Sequence, residues 1–144
     1  MKLRVTSIAE EEASLAMRSV LPELEDWLNA ALGDGDFGGS IDYLTLVVYA
    51  TTFVPSSGKP VPPSRLSTHD DPFTGKKVQS LSLFVQIDPD RIANTPPGRM
   101  LGLLSSELAT RLPVQPLRAP KGLDYPRVRA AITASLAAYI SSEA

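Results

Sequence analysis

A chain of 144 residues with 43% hydrophobic and 21% charged side chains has the composition of an ordinary globular domain, long enough for one sizeable core. It contains no apolar run near the roughly 20 residues that span a bilayer, and the absence of cysteine excludes disulfides, zinc-thiolate sites and thiol catalysis. The net charge of −2 conceals an asymmetry: residues 1–45 carry three basic side chains against nine acidic, and the remainder eleven against seven.

An acidic first part disfavours nucleic acid as a partner there and suits a basic protein surface. The opening MKLRVTSIAEEEASLAM places three consecutive glutamates where a signal peptide needs an apolar stretch. With no cysteine, a cytoplasmic setting is expected.

From Ser7 to Leu32 the pattern is helical. Met17, Leu21, Leu24, Leu28 and Leu32 recur at three- and four-residue spacing. Ser7 and Glu10 have the spacing of a capping box, and Glu10, Glu11 and Glu12 suit the positive end of the helix dipole. Pro22 interrupts the pattern and predicts a kink or two shorter helices. Gly33 and Gly35 stop the element.

Ile41 to Val54, IDYLTLVVYATTFV, is rich in β-branched and aromatic residues and reads as a central strand. Leu44, Leu46, Val48 and Ala50 share one face; Tyr43, Thr45, Val47 and Tyr49 share the other. Pro55 to Lys77 holds five prolines and two glycines and reads as a long loop, with Leu66 and Phe73 available to pin it to the body.

Ser80, Ser82 and Gln86 then alternate with Leu81, Leu83, Val85 and Ile87, a half-buried strand that begins at Val78. Asp88-Pro89-Asp90 ends it as a turn. Thr95-Pro96 opens a helix whose Leu101, Leu104, Leu108 and Leu112 form one apolar stripe. A proline-rich connector leads to a last helix capped by Asp124, with Val128, Ile132, Leu136, Tyr139 and Ile140 as its buried stripe.

This order predicts an α+β domain spanning residues 1–144: a small antiparallel sheet with three helices packed on it. Two strands do not make a stable sheet, so one or two more are expected from Leu3–Val5, from the long loop, or from Val114–Leu117.

Chemistry is sparsely marked. Asp34 to Asp42 matches part of a calcium loop, but Gly38 occupies the fifth position and Thr45 the twelfth, where a bidentate glutamate is needed. The only histidine lies in His69-Asp70-Asp71 within the loop, without a second ligand cluster in sequence. There is no Gly-x-Ser-x-Gly elbow, and Ser56-Ser57-Gly58-Lys59 lacks the glycine spacing of a phosphate loop. Asp88 and Asp90 read as strand punctuation, and Arg118, Lys121, Arg127 and Arg129 as a solvated basic face. No catalytic residue, cofactor or metal is expected.

The segments RAPKGLDYPRVRAAITASLAAYI and LSLFVQIDPDRI, about a third of the chain, resemble small bacterial immunity proteins of polymorphic and contact-dependent toxin systems. The resemblance implies a non-enzymatic cytoplasmic protein that neutralises a cognate toxin by occluding its active site, and it carries over no site residue. In size, acidity and mixed order the chain is also similar to type III secretion chaperones, which implies a possible homodimer holding an effector. The third reading is a small enzyme that uses the His69 loop. For a basic toxin or effector domain the expected surface is Glu23, Glu25, Asp26, Asp34, Asp36 and Asp42. Tyr43, and Trp27 if exposed, are the expected aromatic anchors. Neither a nucleic acid nor a membrane is expected as partner.

Overall fold

The computed structural model describes residues 1–33, 35–39, 41–52 and 61–143. Its elements are β1 (Lys2–Ala9), α1 (Glu11–Met17), α2 (Val20–Leu32), β2 (Tyr43–Ala50), β3 (Ser64–Asp70), β4 (Lys77–Gln86), α3 (Pro89–Ala93), α4 (Pro97–Arg111) and α5 (Tyr125–Glu143). The domain is α+β as expected, and the additional strands lie at two of the expected places, around Leu3–Val5 and in the long loop; the described residues hold five helices, however, rather than three.

The sheet runs β1-β2-β4-β3. It is mixed, which corrects the antiparallel expectation: β1 pairs parallel to β2 and β2 parallel to β4, and only the β3–β4 pair is antiparallel. Alternation along a strand reports which face is buried and carries no information on the direction of its neighbour. Parallel neighbours need a crossover, and α1 with α2 supply it between β1 and β2.

The first helix is shorter than its apolar pattern suggests. Ser7 lies in β1, so there is no Ser7–Glu10 capping box; α1 begins after Glu10, whose N–H instead donates to the Ala50 carbonyl at 3.0 Å. The helical run divides at Arg18–Ser19, leaving Pro22 in the first turn of α2, where its missing N–H costs nothing.

The segment read as a loop over residues 55–77 contains a strand, and its residues 55–60 lie outside the described ones. Ser64–Asp70 forms β3, which includes His69, and β4 begins at Lys77. Proline cannot donate to a ladder but still accepts: the Pro63 carbonyl takes the Phe84 N–H at 2.9 Å. Val114 and Leu117 belong to the connector, not to a strand. Beyond β4, Asp88-Pro89-Asp90 starts the short helix α3, with the Asp88 carboxylate accepting the Asp90 N–H at 2.9 Å. Thr95 does not cap α4, which starts after Pro96; its hydroxyl donates back to the Arg91 carbonyl at 2.6 Å. The Tyr125 hydroxyl donates to the Pro113 carbonyl at 2.6 Å and holds the connector against α5.

Leu46, Val48, Leu83, Val85, Leu104, Leu108, Ile132 and Leu136 meet in one core with Leu3, Val5, Leu24 and Leu28. Helix α2 lies on β1, α4 on β4, and α5 packs on both α2 and α4, so the helices form a single layer on one face of the sheet. Among the described residues, the opposite face carries no helix.

The outer edge of β1 is closed at Leu3 and Val5 by side chains from α2. Asn29 accepts the Leu3 N–H at 2.9 Å and donates to the Leu3 carbonyl at 2.7 Å, and Glu25 accepts the Val5 N–H at 3.0 Å. A bare edge is a template for pairing with another chain, and these bonds occupy its Leu3–Val5 part.

Glycine is required where the Asp36–Gly39 stretch meets the start of α5. At Gly38, φ is +75°, and an added Cβ would lie 2.2 Å from the Gly122 carbonyl oxygen. Gly38→Ala is expected to destabilise the fold by about 2 kcal/mol or more, from the unfavourable φ alone with a backbone clash added. Leu108→Ala should cost about 2–5 kcal/mol, as other buried leucine truncations do. Denaturant titration measures both, and a loss under about 0.5 kcal/mol at Leu108 is incompatible with the core described.

Candidate functional site

The acids expected to form one partner surface are divided by the fold. Glu25 serves the β1 edge, as above. Glu23 accepts a hydrogen bond from the Tyr139 hydroxyl at 3.3 Å, across from α5. Asp26 is exposed on α2. Asp36 accepts the Gly38 N–H at 3.0 Å within its own turn, and Asp42 accepts the Gln79 N–H at 2.8 Å beside β4. Asp34 lies outside the described residues, as do Ser56 to Lys59.

Glu23 and Asp26 therefore belong to the helix layer, while Asp36 and Asp42 stand near the chain's entry into β2. Trp27 is half-buried. Its indole N–H donates to the Ser135 carbonyl at 2.8 Å, and its ring meets Tyr139 edge-on at 4.9 Å, so it is an internal anchor of α5. The basic cluster is also partly internal: Arg127 lies over the Phe37 ring at 5.3 Å and donates to the Asp36 carbonyl at 2.8 Å.

Tyr43 occupies a different surface, the face of the sheet without helices. Its ring is covered by the Arg4 guanidinium at 3.6 Å from the centroid. The ladder register puts Thr6, Val47 and Phe84 in one row across this face, with Arg65 above the Phe84 ring at 5.8 Å. Val47 is only 6% exposed yet lies outside the helix-side core.

At the end of that sheet, the β3–β4 turn presents Phe73 with 95% of its surface exposed. The expectation that Phe73 pins a loop to the body is thus overturned. The turn is braced beneath the ring. The Asp71 carboxylate accepts the Phe73 N–H at 2.9 Å, the Gly75 N–H donates to the Asp71 carbonyl at 2.8 Å, and Gly75 takes φ +69°. The bond from the Phe73 N–H holds the Asp71 carboxyl below its usual 3.8, so this brace is charged and intact at neutral pH.

A pocket of about 430 Å³ opens outside the carboxyl ends of β2 and β4, lined by Tyr49, Thr51, Thr52, Gln86, Ile87, Asp88, Pro89 and Arg111. Crevices there are the usual ligand positions of open α/β sheets. Here its charged groups are tied into the frame. Asp88 caps α3, and Arg111 bonds Glu107 at 2.6 Å and lies 3.4 Å from the Gln86 carbonyl. Glu107 is buried between Arg111 and Arg91. Sequence reasoning missed this pocket because it depends on parallel pairing.

His69 is exposed on β3 opposite Val78. Among the described residues, no group of three or more histidine, aspartate or glutamate side chains converges as a metal would need. Nor is any helix there long and apolar enough to cross a membrane. Comparison with protein-family models, with curated proteins and with solved structures returns no match.

At the strand ends Glu10 links β1 to the segment after β2: its carboxylate accepts the Thr52 N–H at 2.8 Å and the Thr52 hydroxyl at 2.5 Å. The hydroxyl, then the N–H, hold the Glu10 carboxyl below its usual 4.5. A depressed carboxyl stabilises the fold above its unfolded pKa and loses that contribution as pH falls through the folded value. Wild type should therefore melt above Glu10→Gln at pH 7, with the gap shrinking once pH drops below the usual 4.5. Paired thermal melts from neutral to acidic pH check this, and a gap that widens with acid contradicts it.

Proposed function

We propose that this protein acts by binding another protein, and that within this class it is an immunity protein that occludes a cognate bacterial toxin in the cytoplasm. The observation that carries the reading is Phe73, a large aromatic side chain 95% exposed at the tip of a braced hairpin. A phenylalanine in that position contributes nothing to the core. Buried in a partner's apolar pocket it is the kind of side chain that dominates an interface. Occlusion of an active site needs a projecting element held rigid before contact, since preorganisation removes the ordering cost of binding.

The secretion-chaperone reading is favoured by the helix-free sheet face, along which an extended segment of an effector has room to lie. It requires a dimer. The two readings separate on stoichiometry: a one-to-one complex with a folded toxin domain for immunity, a dimer holding an unfolded segment for a chaperone.

Phe73→Ser should leave the melting temperature within error, because the side chain contacts little. It should weaken binding to the toxin domain encoded beside this chain by more than about tenfold, the loss of a hot spot exceeding about 1.4 kcal/mol. Calorimetric melts and titration calorimetry check both halves. Unchanged affinity for that domain removes the hairpin from the interface.

A further inference from the structure

We infer that the helix-free face of the sheet docks an acidic protein segment, an inference that rests on the reading of the protein as a protein binder and names the chemistry of what it binds. The register defines the face: Lys2, Arg4, Thr6 and Ile8 of β1; Tyr43, Thr45, Val47 and Tyr49 of β2; Val78, Ser80, Ser82, Phe84 and Gln86 of β4; Arg65, Ser67 and His69 of β3. In a chain with 16 acidic and 14 basic side chains, no aspartate or glutamate occupies any of these positions. Lys2, Arg4 and Arg65 do, and all three are exposed. The surface is positive while the molecule is negative.

The two arginines are positioned rather than merely present. Arg4 lies flat enough over Tyr43 to stand 3.6 Å from its centroid, and Arg65 stands 5.8 Å from that of Phe84. Contact with the ring holds the Arg4 guanidinium in place and leaves donors available for a bidentate carboxylate, while Arg65 stands at the outer limit of a cation–π contact. Neither arginine forms an ion pair among the described residues, where the salt bridges belong to Glu107. Between them, in the same row, lie half-buried Thr45 and Ser82, and farther along the strands stand buried Val47, half-buried Tyr49 and Ile8, which is 49% exposed. Parallel strands are ordinarily covered on both faces; here the helices of the described residues cover three parallel strands on one face.

The same features disfavour other occupants. A two-fold dimer through this face would set its three cations against their copies. Single-stranded nucleic acid stacks on open rings, whereas Tyr43 and Phe84 already carry guanidinium groups. A long polyanion would also meet the acidic remainder of the molecule.

Fluorescence anisotropy with three labelled probes tests the inference: a peptide of alternating glutamate and valine, its lysine-valine counterpart, and oligothymidylate. The acidic peptide should bind, with affinity falling as salt rises. Binding should drop by about tenfold or more in the Arg4→Glu/Arg65→Glu variant, as expected on losing two charge-assisted pairs. It should persist in Glu23→Lys/Asp26→Lys, which alters the helix layer. Arg4→Gln/Arg65→Gln provides a milder pair should the reversal disturb folding. The inference is overturned if the acidic peptide binds no better than the lysine peptide, if oligothymidylate binds more tightly, or if sedimentation shows a dimer that the double variant abolishes. Toxin binding that depends on Phe73 while the acidic peptide fails would leave the protein-binding reading standing and remove this one. Acidic-peptide binding without any toxin complex would sustain this inference and remove the immunity reading instead.

Discussion

Strand β2 exchanges backbone hydrogen bonds on both sides, with β1 and with β4, and its Leu44, Leu46 and Val48 lie beneath the helix layer with no exposed surface. Most of the architecture follows from those two parallel pairings. A parallel neighbour is reachable only by a crossover, so the chain between β1 and β2 has to leave the sheet, and α1 and α2 are that excursion. Parallel alignment of β2 with β4 likewise requires an intervening antiparallel strand or a further crossover. β3 is the first of these, and it takes the outer edge. The hairpin turn that carries Phe73 thus exists because β4 must return beside β2.

Polar groups near the sheet edges mostly serve this frame. Asn29 and Glu25 satisfy backbone groups of β1 that would otherwise be exposed at an edge. Glu107, buried on α4, is neutralised by Arg91 of α3 and Arg111 of its own helix, and leaving such a carboxylate without a cation would be costly. A charge count along the first 45 residues treats Glu25 and Asp26 alike. In the fold one closes a strand edge and the other faces solvent, because adjacent positions on a helix point about 100° apart.

The positive, aromatic sheet face and the negative helix layer give the molecule two surfaces of different character. Place in the chain groups Tyr43 with the acids, yet its side chain belongs to the other surface, beside Arg4. That separation arises from strand geometry: Asp42 and Tyr43 are consecutive, so their side chains leave the backbone in opposite directions.

The local patterns were legible. Alternation from Val78 to Ile87 and the leucine spacing of α4 marked elements whose burial matches their periodicity, and their apolar faces meet in one core. Pro22 marked the division of the first helical run, although its exact place depended on where a proline does least harm. What the sequence by itself determined is which side chains seek the core and where the chain can turn, since both are set by nearest neighbours along the backbone. The direction of β1 and β4 beside β2, the recruitment of the polar Ser64–Asp70 segment into the sheet, and the one-sided placement of the helices were decided by tertiary structure. Those outcomes depend on hydrogen bonds between residues far apart in the chain, and a polar segment such as β3 is held by its partner's ladder rather than by any preference of its own.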